Sequence, residues 1–321
     1  FEILENNYYK ELKNLKALIV NSHTSNVEKV EEYLQTENYI ADRSLCLTSK
    51  LMFDLEKPML LEGEAGVGKT ELAKVISKTL NTPLIRLQCY EGLDSASALY
   101  EWNFARQMLE IRLSENQSAN KEAVEKSVFS EKFLLDRPLL QALRHKGEKP
   151  AVLLIDEIDR ADEEFEAFLL EILSDFQITI PELGTIEAEK RPIVILTSNR
   201  SRELNDALKR RCLYLWIDYP SRDKELEIIR RKVPQLNEKL AEKIAESMAK
   251  LRTLDLQKNP GIAETIDWSM ALLHLDINEL SRENILATAG TFLKHRDDIN
   301  LVEQIDLKEK LLKLIIKIKF L

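Results

Sequence analysis

Helix-breaking residues are scarce in this chain. Eight glycines and nine prolines in 321 residues, beside abundant Leu, Glu and Lys, favour helix and leave few positions for irregular backbone. Cysteine is scarcer still. Cys46, Cys89 and Cys212 are odd in number and far apart, which excludes a disulfide framework, a redox pair and metal-ligand spacing. They read as reduced thiols in or near a core, as in a cytoplasmic protein. The four histidines are equally scattered, so no metal cage is expected. No apolar run approaches the about 20 residues that a membrane-crossing helix needs, and no signal peptide stands at the start. An excess of basic charge is also missing. The net charge of −9 argues against a dominant nucleic-acid surface, although a local basic groove stays open.

The 44% hydrophobic and 31% charged residues fit a globular chain with room for two or three domains. Helical patterns run over Tyr8–Val20, Val27–Leu34 and residues 46–57. Apolar strand candidates follow at Met59–Leu61, Leu84–Leu87, Val152–Ile155, Ile193–Leu196 and Leu213–Ile217. Helical segments between them predict an α/β fold, a five-stranded parallel sheet with helices on both faces. The polar stretch Ser114–Glu131 reads as a loop or exposed helix pair. Alternation around Pro181 and Gly184 predicts a β-hairpin over residues 177–187. From Ser221 onward the pattern is almost wholly helical, broken at Pro234 and at Asn259-Pro260-Gly261. Three parts are expected: an N-terminal helical segment (1–37), an α/β core (38–219) and an α-helical domain (220–321).

The most informative stretch is Gly63-Glu64-Ala65-Gly66-Val67-Gly68-Lys69-Thr70. It follows an apolar strand and precedes an amphipathic helix opening at Glu71. A strand, a glycine-rich turn and a helix N-terminus aim backbone N–H groups at one anion. Lys69 adds positive charge for β- and γ-phosphates, and the Thr70 hydroxyl suits Mg²⁺. A second apolar strand ends in Asp156 and Glu157. The first would hold Mg²⁺ through water, and the second would orient a water attacking the γ-phosphate. A third ends in Asn199, which can bond that phosphate or the water, or can simply cap the strand. The run Lys209-Arg210-Arg211 can neutralise charge on a transferred phosphoryl group, or form a solvated basic helix end.

In this order, the four elements resemble an AAA+ ATPase of the P-loop NTPase class, and the segment after Pro220 resembles its lid. Leu61-Glu62-Gly63-Glu64, residues Ile155 to Ala161, Arg210-Arg211-Cys212-Leu213-Tyr214 and Ile217-Asp218-Tyr219-Pro220 are similar to the MoxR family, especially its CoxD-like branch. The hairpin corresponds to the pre-sensor-1 hairpin, and roughly residues 94–125 to the helix-2 insertion. The resemblance implies that Gly63, Glu64, Ala65, Gly66, Val67, Gly68, Lys69, Thr70 and Glu71 bind ATP with Mg²⁺. Asp156 and Glu157 are then the Walker B pair and Asn199 is sensor 1. Arg211, or alternatively Arg210, is the arginine finger. Tyr39 and Ile40 resemble the adenine-contacting stretch. Two departures stand out: Ala65 replaces a common proline, and Gly261 to Ala271 lacks a sensor-2 arginine.

The implied activity is Mg-dependent ATP hydrolysis by a homo-oligomeric, usually hexameric ring acting as a remodelling chaperone. The resemblance also implies a von Willebrand factor A domain partner and an enzyme client. A nucleic-acid-directed motor or loader and a non-hydrolysing ATP switch are the alternatives. No Asn-Lys-x-Asp guanine motif is present. The basic, apolar stretch Leu307–Leu321 reads as a lid helix, or as a membrane- or partner-binding helix. Tyr100-Glu101-Trp102-Asn103-Phe104 suits either a gripping element or a local core. The acidic run Asp162 to Glu166 reads as a solvated helix face.

Overall fold

The computed structural model describes residues 25–115 and 128–304. The expected helix at Tyr8–Val20, most of Ser114–Glu131 and the stretch Leu307–Leu321 lie outside the described residues. Contacts group the chain into two compact units. Among the described residues, one holds 25–33, Asp42–Glu62 and Thr70–Trp216. The other holds Leu34–Ala41, Gly63–Lys69 and residues 217–304.

The first unit contains the sheet. Strands β1 (Met59–Gly63), β2 (Leu84–Gln88), β5 (Val152–Asp156), β8 (Ile193–Ser198) and β9 (Leu213–Ile217) form a five-stranded parallel sheet in the order β2-β5-β8-β1-β9. Its three middle strands are buried almost throughout, as parallel strands covered on both faces must be. In register, Gln88 stands beside Asp156, and Glu62 beside Ser198. The polar residues therefore gather at the carboxyl ends of the strands, where ligands bind in open α/β sheets.

Two further small sheets were only half legible. The hairpin β6 (Gln177–Ile180) and β7 (Gly184–Glu187) forms as its alternation predicts, with Gly184 at φ +84°. Strands β3 (Tyr100–Trp102) and β4 (Leu134–Asp136) were not expected, and they pair antiparallel with Trp102 opposite Leu134. This divides the aromatic cluster. Tyr100 and Trp102 pack against the main core, and Trp102 meets Phe129 edge-on at 5.6 Å, whereas Phe104 is 64% exposed. The acidic run needs one correction. Asp162 caps helix Glu163–Asp175 through the Phe165 N–H at 2.8 Å, but Glu166 is fully buried rather than solvated. Its carboxylate pairs with Arg202 and accepts the Asn205 N–H at 2.8 Å, so the helix turns one acid inward to anchor the following loop.

The second unit is helical. Helices Arg222–Lys232, Glu238–Leu251 and Ile262–His274 start at the caps Ser221, Asn237 and Gly261. Leu240, Ile244, Met248 and Leu251 recur at helical spacing and meet Trp268, Leu272 and Phe292 in one core. The buried Trp268 donates its indole N–H to Thr288 Oγ1 at 2.8 Å, which satisfies its one polar atom.

A buried ion pair crosses this unit. Glu225 is fully buried, and Arg252 reaches its two oxygens at 2.7 Å each. The same guanidinium donates to the Pro260 carbonyl at 2.8 Å and lies 4.9 Å from the Tyr219 ring centre. Removing one member of such a pair strands the other charge away from water. Arg252→Ala is expected to lower the unit's unfolding free energy by about 3–5 kcal/mol in a denaturant titration. A loss below about 1 kcal/mol, the scale of an exposed pair, would contradict that reading.

Candidate active site

The phosphate-loop sequence joins β1 to the helix Lys69–Leu80. Gly63, at φ +156°, is required by its surroundings, because a Cβ there would stand 2.2 Å from the Ile217 carbonyl oxygen. Gly66 is at φ +80° and Gly68 at φ +95°, conformations that side chains rarely adopt. Lys69 is buried. Its ammonium donates to the carbonyl oxygens of Gly63 and Glu64 at 2.7 Å each, which closes the loop on itself. The Tyr39 hydroxyl lies 3.5 Å from the Gly68 carbonyl.

The stretch from Gly261, which lacks the expected arginine, also meets the loop. Gly66 accepts the Ile262 N–H at 2.8 Å, and a Cβ on Gly261 would stand 2.8 Å from Gly66 Cα. Glu264 turns back to accept the Gly261 N–H at 3.0 Å. Backbone touches backbone at the place where a long cationic side chain was sought. Arg252, the arginine beside this turn, is committed to Glu225 and Pro260.

Within the first unit, the acidic strand end is the centre of a dense network. Asp156 is 3% exposed, and its Oδ1 accepts the Thr70 hydroxyl at 2.9 Å and the Thr197 hydroxyl at 2.5 Å. Thr197 Oγ1 in turn accepts the Glu157 N–H at 2.9 Å. That bond fixes Glu157 in a left-handed conformation, φ +56°. Its carboxylate takes Gln88 Nε2 at 3.0 Å, Arg160 at 3.3 Å and the Asn199 side-chain amide at 3.5 Å. The structure thus brings Thr70, Asp156, Glu157 and Asn199 together. The Thr70 hydroxyl and the Asp156 carboxylate are neighbouring hard oxygen donors from two elements, and together they fit a Mg²⁺ ion that keeps most of its waters.

Arg210 and Arg211 stand apart from that network. They end the short helix Asp206–Arg211, and both are exposed. Arg211 Nε donates to Ser174 Oγ at 2.7 Å.

Three participants escaped the sequence reading. Gln88 and Arg86 stand on either side of the buried Leu87 on β2 and share one face, so they reach Glu157 and Asp156 respectively. Asp159 is buried and accepts the backbone N–H groups of Asn199 at 3.1 Å and Ser201 at 2.8 Å, which pins the turn carrying Asn199. The alternating polar pattern of Arg86-Leu87-Gln88 was the available signal. Cys89 lies beneath the acids with its thiol pushed up to about 12, by burial first and then by Asp156, so it stays protonated and unreactive at neutral pH. Among the described residues there is no cluster of metal-binding side chains and no helix long and apolar enough to cross a membrane.

Residues 58–212 match the model of the AAA domain, dynein-related subfamily. The chain is 30% identical over 224 residues to Uncharacterized protein SH1500 of Staphylococcus haemolyticus, covering 68% of this chain and 76% of that one. Uncharacterized protein SAOUHSC_01413 of Staphylococcus aureus matches with the same identity and coverage. Among solved structures, the Thermotoga maritima RuvB Holliday junction branch migration motor aligns at 19% identity and a TM-score of 0.42, over 82% of this chain and 68% of that one.

If Glu157 serves ATP hydrolysis and Gln88 positions it, Gln88→Ala should lower kcat about tenfold and leave nucleotide affinity within about threefold, the pattern of a misplaced catalytic group. Unchanged kcat in steady-state phosphate release would refute that role.

Proposed function

Because the chain belongs to one family with these staphylococcal proteins and carries an AAA domain of the dynein-related subfamily over residues 58–212, we propose that it hydrolyses ATP to remodel a partner protein complex, as a MoxR-type chaperone. The observation that carries this reading is the division of labour between two neighbouring acids. Asp156 is bonded to Thr70, the residue that ends the phosphate-loop sequence, while Glu157 is held by groups outside that loop. One acid is placed for the metal and the other for water.

In this reading Gly63 to Thr70 hold the triphosphate through backbone N–H groups, and Lys69 supplies charge to the β- and γ-phosphates. Thr70 and Asp156 hold Mg²⁺, which when bound neutralises phosphate charge. Glu157 accepts a proton from the attacking water and orients it, and Asn199 donates to the γ-phosphate or that water. Tyr39 and Ile40 flank the base. Arg211, exposed at the end of its helix, acts on the nucleotide of a neighbouring copy in a ring, and Arg210 is its alternate. The insertion strands β3 and β4 and the hairpin β6–β7 support the MoxR assignment, since that family carries additions at both places. A von Willebrand factor A protein, an enzyme client and a cytoplasmic setting follow from the same assignment.

Affinity capture with Glu157→Gln in Mg-ATP, against Lys69→Ala, tests it. The first variant should retain ATP and hold partners, and the second should hold neither. Recovery of a von Willebrand A protein or an immature enzyme supports the chaperone reading. Recovery of DNA with replication or repair proteins overturns it.

A further inference from the structure

A carboxylate accepts about four hydrogen bonds, and Asp156 already has four. Thr70 and Thr197 fill Oδ1. Arg86 fills Oδ2, with Nε at 3.0 Å and Nη2 at 2.5 Å. A metal ion reaching this carboxylate must therefore displace one of these groups. Thr197 is buried and also bonded to the Glu157 N–H, so it is held on two sides. The Arg86 side chain is 51% exposed, and its charge can return to water at small cost. Arg86 is also the one group of the three that carries the same sign of charge as the metal.

We propose that Arg86 competes with Mg²⁺ for Asp156, as a built-in counter-cation that leaves the carboxylate when the metal binds. The inference rests on the Mg-nucleotide reading of the site. It also joins the two acids. Arg86 Nη2 donates to Gln88 Oε1, and Gln88 Nε2 holds Glu157. Departure of Arg86 from Asp156 therefore removes a bond from the residue that positions Glu157, so metal binding at one acid is transmitted to the other. Arg86 acts here as a positioning residue.

Competition has a measurable signature. If Arg86 occupies Asp156 nine-tenths of the time, the apparent metal affinity is reduced about tenfold. Mn²⁺ is the probe, because its free fraction is read directly by electron paramagnetic resonance. It would be titrated into the whole chain with and without ADP, which avoids turnover. Arg86→Gln should bind Mn²⁺ about tenfold more tightly than the unsubstituted chain under both conditions. Arg86→Lys, which keeps the charge, should lie close to the unsubstituted chain. A purely structural role for Arg86 would lower the melting temperature of Arg86→Gln without tightening Mn²⁺ binding. Equal or weaker affinity in Arg86→Gln, or no Mn²⁺ bound by any of the chains, overturns the proposal. Failure of ADP to strengthen Mn²⁺ binding in every chain, with the Arg86→Gln difference intact, would instead count against the nucleotide reading.

Discussion

A buried carboxylate must be given partners, and the need to satisfy Asp156 organises the first unit around it. The strand carrying it lies between β2 and β8, so its end is flanked by Gln88 on one side and by Thr197 of β8 on the other. Thr70 arrives from the helix that follows the phosphate loop, Thr197 from β8 and Arg86 from β2. An uncompensated carboxylate at this depth would cost several kcal/mol. The same bonds that avoid this cost fix the relative positions of three elements and, through Thr197, the backbone of Glu157.

Much of this was legible because it rests on local rules. Continuous apolar runs such as Val152-Leu153-Leu154-Ile155, set between helical segments, read as strands covered on both faces, and the glycines of Gly63 to Gly68 mark φ values that other residues rarely adopt. Four of the five strands proved one or two residues longer than their apolar runs, because residues such as Gln88, Asp156 and Ser198 extend the ladder while turning polar, and β9 kept its expected bounds. Two of the added residues, Gln88 and Asp156, belong to the candidate site.

Other features depended on partners far along the chain. Glu166 belongs to an acidic run that looks solvated, and only the approach of Arg202 and the Asn205 N–H makes its burial tolerable. The three-residue strands β3 and β4 are too short to show periodicity and exist through their pairing across an insertion. Near Gly261 a side chain was sought from family pattern. What meets the loop is a glycine whose missing Cβ allows backbone contact with Gly66, a feature visible in one residue's identity but uninterpretable without its neighbour.

In the proposed function Glu157 directs water while the phosphate loop binds the nucleotide. The direct measurement is Mg-ATP affinity by calorimetry beside steady-state phosphate release, for the unsubstituted chain, Glu157→Gln and Lys69→Ala. Glu157→Gln should bind ATP with near-normal affinity and release phosphate at least about 100-fold more slowly, the lower range for loss of a general base. Lys69→Ala should lose binding. Phosphate release by Glu157→Gln at the normal rate, or tight ATP binding by Lys69→Ala, would overturn that division of roles.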